Sequence, residues 1–208
     1  MIILLNGTSS AGKTTLAIEL QRRFDGVLLR YGVDTLVQAA FPDKCDAPPW
    51  NERAIQLEMQ TVDGQPHARL KVSPYMIPVY RQAVVFYRAL SLAGYDLIVD
   101  ELLFDTRRVA PYFELLADQT VYFVGVQPEK TVVVQRERER GDRLPGLAAG
   151  LYDEVYDPRH RYDLRLDTGR LSAAQAADEV LALLARVKAP TGWRETAQRW
   201  RAGEGAAR

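Results

Sequence analysis

Gly7-Thr8-Ser9-Ser10-Ala11-Gly12-Lys13-Thr14 matches the pattern Gly-x4-Gly-Lys-[Ser/Thr] at every fixed position. It follows the apolar run Ile2-Ile3-Leu4-Leu5 and precedes a stretch, 12–24, that reads as a helix. Strand, glycine-bearing loop and helix in that order are the context that gives the pattern physical meaning. Backbone N–H groups that all point inward, at the positive end of a helix dipole, hold a polyphosphate without many side chains. Lys13 then reaches toward the β- and γ-phosphates and the Thr14 hydroxyl toward Mg²⁺, and residues Gly7 through Thr15 are the expected nucleotide-binding stretch. ATP with Mg²⁺ is the expected cofactor pair.

Outward from this loop, short apolar runs alternate with longer amphipathic stretches, which is how the β-α units of a parallel sheet read. Strands are expected at 2–5, 27–30, 97–99, 121–126 and 164–166. Helices are expected at 12–24, 33–40, 79–93, 109–117, 130–139 and 172–187, the last with Ser172 as its cap. Residues 55–72 break the rhythm. Ile55, Leu57 and Met59 alternate, as do Ala68, Leu70 and Val72, around Asp63-Gly64; this predicts a β-hairpin outside the main sheet. In the tail, Thr191 is placed to cap a short helix with Trp193, Ala197 and Trp200 on one side. The expected architecture is α/β: a three-layer P-loop NTPase fold with a mostly parallel sheet of about five strands, a helical lid and an inserted hairpin. One domain spans 1–208, with the lid near 130–150, the hairpin near 55–72 and a C-terminal tail from 188 to 208.

Composition narrows the partners. The 208 residues carry 27 Lys and Arg against 27 Asp and Glu, so the overall field favours neither nucleic acid nor an anionic membrane surface. One cysteine, Cys45, allows no intrachain disulfide and points to a reducing compartment, the cytoplasm by default. No run approaches the roughly 18 apolar residues of a membrane-spanning helix. Neither His67 nor His160 has a second histidine at metal-ligand spacing.

Three further positions carry candidate chemistry. Asp100 ends the run Leu97-Ile98-Val99, and carboxylates at the C-terminal end of a central parallel strand face the ligand crevice, where one can hold Mg²⁺ directly or through water; Glu101 beside it is the alternative. Asp34, in Gly32-Val33-Asp34 after the second strand, reads equally as a general base for an incoming hydroxyl or as a helix cap. Arg136 and Arg140 lie four apart on one helix face and can address one phosphoryl group, although Glu137 and Glu139 between them also suit a solvated face.

Four segments in order, Asn6 to Lys13, Gly32-Val33-Asp34-Thr35-Leu36, Arg140-Gly141-Asp142-Arg143 and Tyr162 to Thr168, resemble the chloramphenicol phosphotransferases of antibiotic-producing actinomycetes and their relatives among P-loop kinases. The resemblance extends over about residues 2 to 187. It implies ATP- and Mg²⁺-dependent phosphorylation of a chloramphenicol hydroxyl, a self-resistance step. It also implies Asp34 as the base, Arg136 and Arg140 as lid contacts to the phosphates, and Asp167 and Thr168 as neighbours of the adenine. Residues 43–53, most hairpin residues and the tail after Lys188 depart from the family pattern. The competing enzyme class is a nucleoside, nucleotide or shikimate-type kinase acting on another small hydroxyl compound. Outside enzymes, the competitor is a nucleotide-dependent switch.

Overall fold

The computed structural model describes residues 1–36, 40–141 and 145–203, less the side chains of Val33, Asp34 and Asp46. The chain runs β1 (Ile2–Asn6), α1 (Lys13–Arg23), β2 (Leu28–Gly32), α2 (Val33–Leu36), then β3 (Ile55–Val62) and β4 (Gln65–Val72). It continues through α3 (Ile77–Leu92), β5 (Asp96–Glu101), α4 (Thr106–Leu115), β6 (Val121–Val126), α5 (Lys130–Arg140), α6 (Leu147–Val155), β7 (Leu164–Leu166), α7 (Ala173–Arg186) and α8 (Gly192–Arg201). Five strands form one sheet in the order β2-β5-β1-β6-β7, every neighbouring pair parallel. β3 and β4 pair antiparallel in a sheet of their own, the hairpin that the alternation predicts.

Strands buried on both faces read as unbroken apolar runs, because each face needs its own apolar residue. In β1, Ile2 and Leu4 enter the core formed with α3, α4 and α8, whereas Ile3 and Leu5 enter the core formed with α1 and α7. Those are the three layers. Every β1 residue is fully buried, so a change to alanine at Leu4 or Leu5 is expected to cost about 2–5 kcal/mol. On α7, Ser172 and Gln175 form a reciprocal capping box that satisfies two N–H groups at the helix start.

Some boundaries differ from the expectation. The second strand runs on to Gly32, where it pairs with Asp100, instead of ending at Arg30. An alanine Cβ at Gly32 would sit 2.3 Å from the Asp100 carbonyl, so this close approach of two backbones selects glycine. The helix expected over 33–40 is described as Val33–Leu36, and residues 37–39 lie outside the described part of the chain. α4 starts at Thr106, earlier than expected, because the Asp105 carboxylate accepts from the Arg107 N–H and caps it.

α6 was not expected at all. Its core side is carried by Ala148, Ala149, Leu151 and Val155. Gly146 and Gly150 lie one turn apart, and a Cβ on them would meet Pro66 O at 2.4 Å and Ala68 O at 2.2 Å. The hairpin backbone therefore lies directly on this glycine face, fixed by the Ala68 N–H donating to Gly146 O. The tail helix forms with Trp193 buried against Phe113 and Phe123, but the Thr191 side chain makes no cap bond, and residues 204–208 lie outside the described part of the chain. Asp163 accepts from the Thr191 and Gly192 N–H groups at the start of α8.

Candidate active site

The loop between β1 and α1 is held from behind. A Cβ on Gly7 would lie 2.6 Å from Val126 O, so only glycine lets β1 leave this close to β6. Thr8 is fully buried; its N–H donates to the Tyr156 hydroxyl, which itself donates to Val126 O. Asn6 donates to Val155 O and the Tyr162 hydroxyl and accepts from the Leu103 N–H, tying the strand end to three other segments. Gly7 and Thr8 thus shape the loop, while Ser9 through Thr15 line the open cleft in front of it. Ser10 and Gly12 adopt positive φ, 60° and 91°. The Ser10 hydroxyl is buried without a protein partner. No side chain caps α1, so the N–H groups of its first turn face the cleft end of the helix dipole unpaired within the helix.

Directly below the loop, the Thr14 hydroxyl donates to Asp100 Oδ2 at 2.8 Å, and Lys13 Nζ stands 3.6 Å from Asp100 Oδ1 and 3.1 Å from Thr8 O. The register explains the meeting: Asp100 pairs with Leu5 on one side and Gly32 on the other, at the C-terminal edge of the central strands. Two hard oxygen donors side by side suit Mg²⁺, which takes one or two protein oxygens and completes its shell with phosphate and water. Among the described residues no group of three or more His, Cys, Asp or Glu is placed to hold a metal ion.

The loop divides the opening into two lobes. One, of about 450 Å³, is bounded by Gly12, Thr15, Arg136, Thr168, Ser172 and Ala173. Arg136 donates to the Thr168 hydroxyl and carbonyl, and the Thr168 hydroxyl donates to Ala11 O, so the arginine is locked to the loop. The other lobe, of about 580 Å³, extends past Asp100 and Gly32 to the hairpin, where Ile55 and Leu70 face it with Leu147 of α6. Both volumes fall in the range of small-molecule sites. Arg140 borders both lobes.

Of the residues singled out in the sequence, Asp167 stands apart from both lobes. Its carboxylate accepts from the Gly169 N–H and pairs with Arg170, which organises the turn carrying Thr168. Asp34 lies in α2, two residues past the Gly32–Asp100 pairing, and its side chain is outside the described set. Thr35 beside it lines the larger lobe. Asp142 and Arg143 of the Arg-Gly-Asp-Arg segment are also outside the described residues.

One group escapes the sequence reading, and a second, Glu101, enters it only as the alternative to Asp100. Glu137, taken with Glu139 as a solvated face, is only 3% exposed, and its two oxygens accept from the Gly146 and Ala148 N–H groups at the start of α6. The second group is Glu101 with Arg108, on the wall of the larger lobe. Burial pushes the Glu101 carboxyl above the usual carboxylate range, against the opposing pull of Arg108. Strand alternation was the available signal for Glu101, since a residue next to Asp100 must face the opposite side of the sheet.

Comparison with known proteins agrees with this geometry. A Mycobacterium tuberculosis protein named as a candidate O-phosphotransferase is 27% identical over 180 residues, which is 86% of this chain and 80% of that protein. Among solved structures, a sugar kinase from Janibacter superposes with a TM-score of 0.59 at 18% identity, covering 88% of this chain and 94% of the other. The Mycobacterium tuberculosis APS kinase, solved with AMPPNP and APS, gives 0.58 at 16% identity, covering 89% and 97%. These likenesses establish the P-loop kinase fold. The family model described as chloramphenicol phosphotransferase-like protein matches residues 1–185, nearly the whole ordered core, and the chain therefore belongs to the chloramphenicol phosphotransferase-like family of P-loop kinases.

Proposed function

We propose that this O-phosphotransferase moves the γ-phosphate of ATP onto a hydroxyl of chloramphenicol or an antibiotic of similar size, inactivating it in the cytoplasm. The observation that carries the reading is the convergence of Lys13, Thr14 and Asp100 beneath the loop, at the junction of two lobes large enough for a nucleotide and a small acceptor.

In this reading the smaller lobe takes the nucleotide base and ribose between Arg136, Thr168 and Ser172, and residues 9–15 take the phosphates. Lys13 neutralises charge gathering on the γ-phosphoryl group. Thr14 and Asp100 would hold Mg²⁺, which would offset negative charge on the phosphate oxygens. The Thr14–Asp100 hydrogen bond keeps those two oxygens in place. Asp34, two residues along the chain past the end of β2, accepts the proton of the attacking hydroxyl. Arg140 closes over the junction with the rest of a lid spanning about 130–150, and Glu137 couples the two helices of that lid. The single domain then works as a kinase core with one movable flap.

The test is transfer from ATP with Mg²⁺ to a panel of hydroxyl-bearing antibiotics, with sugars and shikimate-type metabolites in parallel, read as an 80 Da gain in product mass, the mass of one added phosphoryl group (on the order of 80 Da). Transfer to an antibiotic supports the reading. Transfer only to metabolites replaces it with the metabolite-kinase alternative, and acceptor-independent hydrolysis alone points to a switch.

A further inference from the structure

Glu101 and Arg108 are the one buried ionic group on the cleft wall, among the described residues, that the chemistry above does not use. Successive strand residues face opposite ways, so Asp100-Glu101 sends one carboxylate to each side of the sheet. Asp100 meets Thr14 and Lys13 on the α1 side. Glu101 turns to the α3 and α4 side, 1% exposed, close to the hydroxyls of Tyr87 and Tyr112. Its Oε2 lies 3.7 Å from Arg108 Nη2, near enough to neutralise charge and too far to be a hydrogen bond.

Arg108 is equally confined. It is 3% exposed, with Cζ 4.1 Å from the Tyr80 ring centre and 4.6 Å from that of Phe104, and Nη1 donates to Leu102 O. Ring contacts and that bond fix the plane of the guanidinium. Glu101 Oε2 and Arg108 Nε nevertheless have no hydrogen-bond partner, and neither does the Tyr87 hydroxyl beside them, while Tyr112 interacts with the Glu101 carboxyl. Buried polar atoms are matched in the great majority of cases, so one unmatched acceptor beside one unmatched donor on a ligand cleft calls for a function.

We propose that Glu101 and Arg108 are the specificity-determining residues of the acceptor lobe, reading a second, uncharged polar group of the acceptor. That group is a hydroxyl or carboxamide, donating to Glu101 and accepting from Arg108. The proposal rests on the O-phosphotransferase reading and adds the class of acceptor to it. The pair is neutral as a whole: a ligand carboxylate would be set against Glu101, and an ammonium against Arg108. Ile55, Leu70, Leu102 and Leu147 on the same lobe suit an apolar body. The acceptor is thus a compact neutral molecule with an apolar face and at least two polar groups, one phosphorylated and one held by the pair. Arg30, half-buried on the same lobe, offers the opposing preference for an anion, which the experiment separates.

Wild-type protein is assayed with ATP and Mg²⁺ against chloramphenicol and the matched pairs glycerol and glycerate, and glucose and gluconate. Glu101→Gln and the double variant Glu101→Leu with Arg108→Met are assayed beside it. The double variant removes both charges and so leaves no uncompensated ion if either single change fails to fold. The neutral members are expected to be the better substrates, and the variants to raise acceptor KM at least about 10-fold while ATP KM stays within about twofold, the signature of lost acceptor binding. Preference for the hydroxy acids, or wild-type acceptor KM in both variants, overturns the proposal and leaves the kinase assignment standing. Failure of the wild type to transfer phosphate to any member, with ATP still bound, overturns the underlying reading and this proposal together.

Discussion

The Thr14 hydroxyl donates to Asp100 Oδ2 at 2.8 Å, joining the last fixed position of the phosphate-binding loop to a strand end 86 residues away. Lys13 lies against the other oxygen of the same carboxylate, and both side chains of that pair are largely buried, at 12% and 14% exposure. One carboxylate therefore holds both the Lys13 ammonium and the Thr14 hydroxyl in place at the cleft.

Lys13→Ala is expected to abolish measurable transfer with the fold retained, because the ammonium reaches over the cleft and packs in no core. Asp100→Asn keeps the shape and one acceptor oxygen but loses the charge. It should raise the Mg²⁺ concentration needed for half-maximal rate by about 10-fold or more. Wild-type Mg²⁺ dependence in Asp100→Asn would remove the carboxylate from the metal site.

Asp34→Asn separates the base from the helix cap. Asparagine caps about as well as aspartate, so melting and ATP binding should be nearly unchanged. Without a proton acceptor, transfer should slow by on the order of 10² or more. Transfer at close to the wild-type rate would pass the role to another carboxylate.

Glu137 and Glu139 look alike in sequence and should behave very differently. Glu137→Ala strands two buried N–H groups at the start of α6, each bonded to a charged oxygen at 2.7–2.8 Å, and should cost about 3 kcal/mol or more. Glu139 is exposed and, among the described residues, accepts from Gln135, so Glu139→Ala should stay within about 0.5 kcal/mol. Urea melts of the two variants check the contrast. Equal stabilities would contradict the capping geometry.

Gly150→Ala tests whether the hairpin belongs to the acceptor lobe. The added methyl would fall 2.2 Å from Ala68 O and must push β4 off α6. Ile55 and Leu70 move with the hairpin, so acceptor KM should rise about fivefold or more while ATP KM holds, a selective loss of binding on one side of the cleft. A parallel rise in both constants would mean that the hairpin supports the whole cleft.

His160 predicts an acid-sensitive fold. It is fully buried, stacked on Trp200 and beside Asn6, and burial pushes its pKa down to about 4, Asp157 opposing only in part. Below the unfolded value of about 6.5 the unfolded chain takes up a proton that the folded chain refuses until about pH 4. Stability should therefore fall by about 3 kcal/mol as pH drops through that window, and His160→Gln should lose less over the same range. Identical pH slopes for the two proteins would show that the imidazole titrates normally.

The sequence alone determined the phosphate-binding loop, the alternation of strands and helices, the separate hairpin and the place of Asp100 at the end of a central strand. Each of these is written in local chemistry: glycines where the backbone must turn or approach closely, apolar runs where a strand is covered on both faces, a carboxylate directly after such a run. The helix Leu147–Val155 left no comparable trace, because Leu-Ala-Ala-Gly-Leu is weakly patterned and its glycines serve contact with the hairpin. Only the tertiary structure decided that Glu137 is a buried cap, that the hairpin walls the larger lobe and that the Glu101–Arg108 pair lines the same cleft as the loop. Those roles depend on which surfaces are brought together across 11 residues in one case and more than 50 in others, and charge or hydropathy along the chain does not encode that proximity.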